Sequence, residues 1–267
     1  MTDIDESETR GAPYGGEKRT SRKVDEERRR LLRSMVVGGV VTCAALAGLF
    51  QHRIAHADPR LRPPGALDEE AFLAACIKCG QCVQVCPIEA IRLGDLEEGI
   101  GNGVPYIAAR DQACDFSCDA TQCILACPTG ALSHLIDKKE QVKMGVAKLV
   151  APDACLARKG AGHKGTARGA AFPGVLRYPE VDRWKAQAVA GRTYDLEICD
   201  LCVRHCPIEG AIALKPLSAD PADKRRTPVV EANCVGCGVC EMMCPSDPVA
   251  IRIEVMTVDR EPKGRHA

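Results

Sequence analysis

Cysteine is the residue type whose number and spacing predict chemistry in this sequence. Sixteen of the seventeen cysteines fall into four blocks between Cys76 and Cys244, and each block ends in Cys-Pro. The first and fourth blocks have the regular spacing C-x2-C-x2-C-x3-C-P. Thiolates at this spacing hold [4Fe–4S] clusters in bacterial two-cluster ferredoxins, in which the fourth cysteine binds the neighbouring cluster. The four blocks therefore predict four [4Fe–4S] clusters.

The two middle blocks depart from the regular spacing. The second block has three and then four residues between its first three cysteines, and the third has Leu196 where its first cysteine would stand. Cys155 is the one cysteine left for that place, so counting assigns it to the third block although it lies far upstream of Cys199. The predicted ligands are Cys76, Cys79, Cys82, Cys86, Cys114, Cys118, Cys123, Cys127, Cys155, Cys199, Cys202, Cys206, Cys234, Cys237, Cys240 and Cys244. Cys43 lies in a different kind of segment and is not among them.

Zinc binding and disulfide bonding are the two other interpretations of these cysteines. Zinc ribbons use C-x2-C pairs, but they need neither a third cysteine two residues on nor a repeated Cys-Pro. A disulfide scaffold is typical of small exported proteins, but cysteines two residues apart are poorly placed to bridge each other. Cluster binding is therefore the favoured interpretation.

The start of the chain has the pattern of an export signal. Residues Arg28–Arg33 fit the twin-arginine pattern, although Glu27 replaces the usual Ser or Thr. An apolar stretch, Met35–Phe50, and an A-x-A cleavage box, Ala55–Ala57, follow. We therefore predict a signal peptide at 1–57, export by the twin-arginine pathway and a periplasmic location. The alternative is an uncleaved membrane anchor, although the apolar stretch is short of the roughly 20 residues that a spanning helix needs.

The composition supports a cofactor-dependent fold. Twin-arginine export carries folded proteins whose cofactors are already inserted, and clusters must be built where thiols stay reduced. The nine aromatic residues of the whole chain give little material for a core, so we expect folding and cluster binding to be linked. Equal numbers of basic and acidic residues, 36 of each, give no indication of nucleic-acid binding.

Short strand-like runs flank the cysteine blocks and predict the fold class. Runs at 90–93, 131–132, 211–214 and 249–253 follow a Cys-Pro pair, and runs at 106–107, 148–150 and 228–230 precede a block. Apolar residues at helical spacing predict a helix over 69–76. The expected fold is α+β, with tandem bacterial ferredoxin-like units that form two pseudo-symmetric 2[4Fe–4S] modules after an N-terminal signal helix. The expected domain is 58–255, with a basic insertion at 156–198 and a C-terminal tail at 256–267.

The stretch between Cys155 and Cys199 is long and basic. Residues 156–192 contain eight Lys or Arg residues against Glu180 and Asp182, and glycines in the first half predict a flexible segment. One hypothesis is a basic docking loop for an acidic partner or a membrane surface. The alternative is a solvated excursion at the protein surface.

Several segments around the cysteine blocks resemble one known family. These segments are Arg60–Leu67, Pro105–Tyr106, Ala109–Asp111 and Met144–Ala147. Together with the first block and the twin-arginine pattern, they resemble the NapG/MauM family of ferredoxin-type proteins over roughly residues 28–255. The resemblance implies an electron-transfer subunit of a quinol dehydrogenase module, with no catalytic site of its own. Members of that family have a short link where this chain has its insertion, which leaves the specific partner open.

The partners implied by the resemblance are redox proteins. A membrane quinol-oxidising iron–sulfur protein would be the donor, and association with the membrane would be peripheral, through that partner. A periplasmic reductase or dehydrogenase would receive the electrons, nitrate reductase in the best-known systems. The alternative function, implied by the MauM members, is maturation or assembly of a periplasmic redox enzyme in methylamine utilisation.

The sharing of cysteines between blocks is implied by similar four-cluster subunits of respiratory complexes. In those subunits the two outer blocks pair with each other, and so do the two inner blocks. By that pattern, Cys244 completes the first block and Cys86 completes the fourth. In the same way, Cys206 completes the second block and Cys127 completes the third. Pairing in chain order is the alternative. His205 could tune a cluster by hydrogen bonding, although packing or solvation is the favoured interpretation.

Overall fold

The chain divides into two units, Met1–Ala57 and Asp58–Ala267. The computed structural model describes residues 17–55, 60–95, 102–118 and 120–256. Of the predicted C-terminal tail, only Met256 is described, and the predicted cleavage box runs beyond the described residues after Ala55.

The described part of the first unit is helical throughout. Helix α1 (Glu17–Ala55) has 39 residues and contains the twin-arginine pattern. The side chains described between 26 and 44 are all exposed. Among the described residues, there is no helix with the length and apolar content needed to cross a membrane.

The second unit is built from short helices and short strands. Its helices are α2 (Glu69–Ala75), α3 (Gln81–Gln84), α4 (Gln122–Leu125), α5 (Pro179–Asp182), α6 (Leu201–Arg204) and α7 (Val239–Met243). Its strands are β1 (Ile91–Leu93), β2 (Pro105–Ile107), β3 (Gly145–Leu149), β4 (His163–Thr166), β5 (Val175–Tyr178), β6 (Arg183–Ala188), β7 (Thr193–Leu196), β8 (Ile212–Pro216), β9 (Arg226–Val230) and β10 (Ile251–Val255). Short 3-10 helices lie at Lys139–Gln141, Pro152–Ala154, Ala157–Lys159 and Val189–Gly191. This mixture of helices and strands fits the expected α+β class.

Helix α2 leads directly into the first cysteine block. The Asp68 carboxylate accepts a hydrogen bond from the Ala71 N–H at 3.0 Å, which satisfies one of the free donors at the helix start. Phe72 is fully buried and anchors the helix to the core. The helix ends at Ala75, so Cys76 is the first residue beyond it.

The strands of the described residues form five two-stranded antiparallel sheets. Around the first two cysteine blocks, β1 pairs with β2, and an isolated bridge joins Ala66 to Leu132. Around the last two blocks, β8 pairs with β9, and β3 pairs with β10. In both halves, the segment after the earlier block pairs with the segment before the later block, and the two outer segments pair with each other. This pairing holds the two blocks of each half side by side.

The insertion forms strands instead of the expected flexible loop. Strand β4 pairs with β7, and the β5–β6 hairpin lies between them in the sequence. Two of its glycines, Gly165 and Gly169, adopt φ angles of 100° and 81°, a region that other residues enter at a cost. Glycine at these two positions therefore lets the chain adopt this backbone within β4 and just after it.

The apolar core of the described residues includes many of the cysteines. Among its largest side chains, Phe72, Leu201 and Met242 are completely buried. Glycine is required where two backbones meet in this core, because a Cβ on Gly236 would lie 2.4 Å from the backbone of Gly145. This close approach fixes the loop of the fourth cysteine block against β3.

Candidate metal centres

Set A is the first group of four cysteines, and it lines an open cavity of about 360 Å³. It comprises Cys76, Cys79 and Cys82 of the first block with Cys127 of the second. Cys82 is buried, Cys79 is exposed and the other two are half-buried. The left-handed backbone at Gly80, with φ 73°, lets the chain turn from Cys79 into α3, which holds Cys82.

Set B lines a second cavity, of about 340 Å³. It comprises Cys114, Cys118 and Cys123 of the second block with Cys86 of the first. Left-handed backbone at the non-glycine residues Phe116, Ala120 and Thr121 accommodates the unusual spacing of the second block. This conformation is uncommon for residues with a side chain, so the structure around the block must hold it in place.

Set C lines a third cavity, of about 280 Å³. It comprises Cys234, Cys237 and Cys240 of the fourth block with Cys206 of the third. The three cysteines of the fourth block are buried, and Cys206 is half-buried. A Cβ on Gly238, the residue before α7, would lie 2.5 Å from the Cβ of Ala109. Glycine at this position therefore lets the set C loop pack against the first half of the unit.

Set D combines three separate parts of the second half. It comprises Cys155, Cys199 and Cys202 with Cys244 of the fourth block. Burial and then the three other thiols of the set raise the pKa of Cys202 to about 12. Burial, together with the thiols of Cys244 and Cys155, raises the pKa of Cys199 to about 11. These mutual effects indicate that the four thiols lie near one another.

The β4–β7 sheet explains how the distant Cys155 reaches the third block. Its register pairs His163 with Leu196, and the Cys199 N–H donates to the carbonyl oxygen of Ala161 at 3.1 Å. The insertion therefore begins and ends at neighbouring points of the fold, which brings the segment after Cys155 beside Cys199. Leu196, which stands where a regular block would have its first cysteine, is a strand residue.

The predicted pairing of outer with outer and inner with inner blocks is wrong. Cys127, in place of Cys244, completes the set of the first block, and Cys86, in place of Cys206, completes that of the second. Cys206 joins the fourth block and Cys244 the third. The reason lies in the strands, because β1–β2 holds the first block beside the second, and β8–β9 holds the third beside the fourth.

The donor chemistry of these sets fits an iron–sulfur cluster. All seventeen cysteines lie among the described residues, and their thiols are free. Burial raises the pKa of Cys82 to about 11 and that of Cys237 to about 12, and neighbouring thiols add to both shifts. Several such thiols become thiolates together only beside a strong positive charge such as iron. Each set offers the four thiols that a cubane binds, one at each iron.

The thiols of sets A to C surround open cavities and do not converge on one point. Within the ranges that the structure describes, no three His, Cys, Asp or Glu side chains are placed to hold a single metal ion.

Backbone N–H groups point at two of the thiols. Ala90 donates to Cys86 Sγ at 3.3 Å, and Leu132 donates to Cys127 Sγ at 3.5 Å. Burial alone would raise the pKa of Cys127, but hydrogen bonds from Leu132 and Thr129 lower it overall. Hydrogen bonds to ligand sulfurs are one of the influences on cluster potentials.

The four sets form an unbroken series. Sets A and B meet where α3 packs against α4. Sets B and C meet where the Cys114 N–H donates to the carbonyl oxygen of Cys237 at 3.2 Å. Sets C and D meet where α6 packs against α7, and Cys202 is among the thiols that add to burial in raising the pKa of Cys240. The order along the series is therefore A, B, C, D.

Several basic residues of the insertion have partners within the protein. Arg192 pairs with Glu180 at 3.0 Å, and Lys164 pairs with Asp195 at 3.0 Å. Arg168 donates to two backbone carbonyls outside the insertion. These contacts occupy basic side chains that the hypothesis of a basic docking loop would need.

Two polar side chains beside Cys114 anchor the insertion to the first half. The buried Gln112 side chain donates to the Val175 carbonyl at 2.8 Å and accepts from the Val175 N–H at 2.9 Å. The Asp115 carboxylate accepts from the Arg177 N–H at 2.9 Å. Sequence reasoning missed both anchors, and the only signal for them was their position next to a predicted ligand.

His205 packs against two tyrosines of the insertion. Tyr194 Oη and His205 Nε2 are hydrogen-bonded at 2.9 Å, and the Tyr178 ring meets the imidazole edge-on at 5.9 Å between centroids. Burial, together with the charges of Arg192 and Arg204, lowers the pKa of His205 to about 4. These contacts support the interpretation of His205 as a packed residue.

Comparison with known proteins identifies the family. A family model described as a 4Fe-4S dicluster domain matches residues 75–131 and 198–247. The two matches contain every predicted ligand except Cys155. The ferredoxin-type protein NapG of Escherichia coli (strain K12) is 34% identical over 92% of this chain and 93% of its own length. The chain belongs to the NapG/MauM family of ferredoxin-type proteins.

Other members of the NapG/MauM family match over similar lengths. The methylamine utilization ferredoxin-type protein MauM of Methylobacillus flagellatus is 32% identical over 91% of this chain and 90% of the relative. MauM of Methylorubrum extorquens is 33% identical over 90% of this chain and 94% of the relative. No solved structure matches the chain. The resemblance seen in the sequence is thus confirmed. This member of the NapG/MauM family is an iron–sulfur protein with tandem ferredoxin-like segments. Its family implies a role in electron transfer.

Proposed function

We propose that this protein holds four [4Fe–4S] clusters, one in each of sets A to D, and carries electrons between a membrane donor and a periplasmic redox enzyme. The observation that most supports the proposal is the unbroken series of four-thiol sets. When bound, each cluster supplies a one-electron redox centre. A series of neighbouring centres suits transport over a distance, whereas a single binding or catalytic centre would not need it.

The residues of the chain would hold the thiols and keep water away from them. Each set takes its thiols from both blocks of a pair, so neither block can complete a set alone. Phe72, Phe116 and Val235 line the cavities of sets A, B and C, respectively. Apolar walls of this kind lower the local dielectric and strengthen the effect of every nearby charge. Assembly of the sets and folding of the chain are therefore coupled in the proposal.

The proposed donor is a quinol-oxidising iron–sulfur protein in the membrane, and the proposed acceptor is a periplasmic reductase or dehydrogenase. Membership of the NapG/MauM family supports a role beside another redox protein. Membrane association would then be peripheral, through the donor. Exposed Cys79 in set A supports exchange of electrons at that end of the series.

The proposed location is the periplasm, reached through the twin-arginine pathway. The supporting features are the pattern at Arg28–Arg33 and the cofactor content, because this pathway carries proteins that fold before export. In this proposal residues 1–57 act as the signal peptide.

A quinol-reduction assay tests the carrier role. The protein, purified without oxygen, is mixed with membranes that contain or lack the quinol-oxidising partner, and a reduced quinol is added. We expect electron paramagnetic resonance (EPR) signals of reduced clusters only with membranes that contain the partner. Clusters that stay oxidised in the presence of both quinol and partner would contradict the proposal.

Maturation of a periplasmic redox enzyme is a second candidate function, because the MauM relatives, at 32 to 36% identity, match as well as NapG, at 34%. A deletion strain separates the two functions. Loss of a carrier leaves the terminal enzyme loaded with its cofactor and active with an artificial donor. Loss of a maturation factor leaves the terminal enzyme without its cofactor.

A further inference from the structure

Arg110 holds the loop that contains Cys244, the set D cysteine of the fourth block. Its Nη1 donates to the carbonyl oxygens of Glu241 at 2.6 Å and Cys244 at 2.8 Å. Its Nη2 donates to the carbonyl oxygen of Ser246 at 3.4 Å. One side chain of the first half thus binds the backbone on both sides of a predicted ligand in the second half.

Arg168, from the insertion, supports the same loop and lies beside Arg110. Its Nη1 donates to the carbonyl oxygens of Arg110 at 2.9 Å and Met242 at 3.0 Å. The Phe172 ring lies 4.4 Å from its guanidinium carbon and covers it. Two guanidinium groups are therefore held in fixed positions, in different parts of the chain, around one short loop.

Both guanidinium groups interact electrostatically with Cys244. Burial lowers the pKa of Arg110 and that of Arg168, and the Cys244 thiolate opposes the shift in both. Arginine stays charged at neutral pH even when its pKa falls somewhat. Two positive charges therefore lie near a thiol of set D in partly buried surroundings, where screening by solvent is weak.

Other charges around this loop offset the arginines in part. Glu241 and Asp247 act on Arg110 as negative charges, and Arg252 acts as a further positive one. At Cys199 of the same set, Asp200 acts as a negative charge and is itself paired with Arg204 at 2.7 Å. Asp111 acts on Arg168 as a further negative charge and is itself paired with Arg92 at 3.1 Å. The loop around Cys244 therefore has three arginines against three acidic groups, one of which is paired with Arg92.

We propose that Arg110 and Arg168 are positioning residues that raise the reduction potential of the cluster at set D. This inference rests on the proposed function, because it requires a cluster at that set. A cluster that gains an electron becomes more negative, so a nearby positive charge stabilises the reduced form. Set D then becomes an electron-accepting end of the series.

The test is an EPR-monitored redox titration of the full-length protein, purified without oxygen, with iron content measured for every sample. The set D signal is the one that a Cys155→Ser variant loses. Arg168→Gln removes the charge but keeps an amide donor for the carbonyls. We expect this variant to lower the equilibrium constant for reduction of the set D cluster about tenfold. For one electron, that lowers the reduction potential by about 59 mV. Arg168→Lys keeps the charge and should change the equilibrium less than threefold.

Two further variants fix the interpretation. Lys164→Gln removes a charge from the same insertion, but this side chain is 79% exposed, so salt screens it and the set D potential should stay unchanged. Glu241→Gln removes a negative charge that faces both arginines, and its amide oxygen can still accept from the Ile253 N–H. It should raise the set D potential, and it keeps the test available if Arg168→Gln does not fold.

The outcomes separate this inference from the proposed function. Parent protein that lacks iron at set D would overturn both. Normal iron content with a set D potential that Arg168→Gln leaves unmoved, or that Glu241→Gln fails to raise, would overturn the inference alone. Equal shifts with Arg168→Lys and Arg168→Gln would also overturn it, because the arginine would then act through its shape and not through its charge.

Discussion

The two halves of the second unit bury their cysteines to different degrees. In the first half, Cys79 is exposed, and Ile77 nearby in the same loop is 63% exposed. In the second half, all four cysteines of the fourth block are buried. Two contacts lie over the fourth block: Arg168 of the insertion donates to the Met242 carbonyl, and Ala109 of the first half packs against Gly238. The series of sets therefore has an open end at set A and a closed interior.

The charges around the sets differ in the same way. Asp115 adds to burial in raising the pKa of Cys114 and of Cys118 in set B. Arg110 and Arg168 lie near Cys244 of set D. Negative charge beside one set and positive charge beside another favour unequal potentials. Burial thus distinguishes set A from the fourth block, and charge distinguishes set B from set D.

Removal of iron should have the largest effect and should open the second half more than the first. Without iron, Cys202 and Cys237 take up protons, because burial raises their pKa values to about 12, and these thiols no longer link the segments that hold them. All four cysteines of the fourth block are buried, so the core of the second half loses more of these links. We expect chelated protein to lose cooperative unfolding, and amide hydrogen exchange to rise most in β8–β9 and β3–β10. Circular dichroism and hydrogen exchange measure this. Retention of cooperative unfolding after chelation would break the link between folding and clusters.

Substitution of a buried ligand should cost more than substitution of an exposed one. Cys240 is 5% exposed, and a serine there has no solvent to replace the lost thiolate. We expect Cys240→Ser to lose the iron of one cluster and about 4 kcal/mol or more of unfolding free energy. Cys79→Ser, where water can approach, should lose less than half as much. Iron analysis and thermal unfolding of both variants check this, and equal losses would remove the contrast between the halves.

The sharing of cysteines within each half can be tested at Cys86. Cys86 lines the cavity of set B although it belongs to the first block. Cys86→Ser should therefore perturb the EPR signal that Cys118→Ser also perturbs, and leave unchanged the one that Cys76→Ser perturbs. Damage to the set C signal instead would restore the outer-with-outer pairing.

Release of the insertion should have a moderate effect on the second half. Gln112 is 6% exposed and makes two hydrogen bonds to Val175. Gln112→Ala leaves both backbone groups of Val175 without these partners and should cost about 1–3 kcal/mol of unfolding free energy. Limited proteolysis should then cut within 156–198 faster than in the parent. Val181→Ala, at a side chain 64% exposed in the same insertion, is the control and should change neither measurement.

The smallest expected effect is at Tyr194. Tyr194→Phe removes the hydroxyl that bonds His205 and should cost about 1 kcal/mol. Burial lowers the pKa of His205 to about 4, below its unfolded value, so the neutral ring stabilises the folded state above about pH 6.5. That stability is lost as the pH falls from about 6.5 toward about 4. Denaturant unfolding of parent and variant at pH 7 and pH 5 measures both effects, and an increase in stability on acidification would contradict them.

Cysteine spacing predicted the blocks well because each block is a local motif. The regular first and fourth blocks could be recognised from a few residues each, and the structure places all sixteen predicted cysteines in four sets. Counting alone placed Cys155 with Cys199, and the β4–β7 sheet gives the reason. Local pattern therefore named fifteen of the candidate ligands and counting added Cys155, while iron binding by these cysteines stays a prediction.

Long-range features could not be predicted in the same way. The completion of set A by Cys127 depends on which strands pair, and the spacing of one block contains no information about its partner block. The insertion was expected to be flexible because of its glycines, but the partners of Arg168 and Val175 lie more than fifty residues away in the sequence. Contacts of this kind exist only after folding, and no local pattern marks them.

A count of iron and acid-labile sulfide tests the central claim most directly. The protein is purified without oxygen, its concentration is fixed by amino-acid analysis, and both elements are measured on the same sample. Four clusters predict about sixteen irons and about sixteen labile sulfides per chain. Zinc in place of iron, or disulfide-bonded cysteines with negligible labile sulfide, would contradict the account.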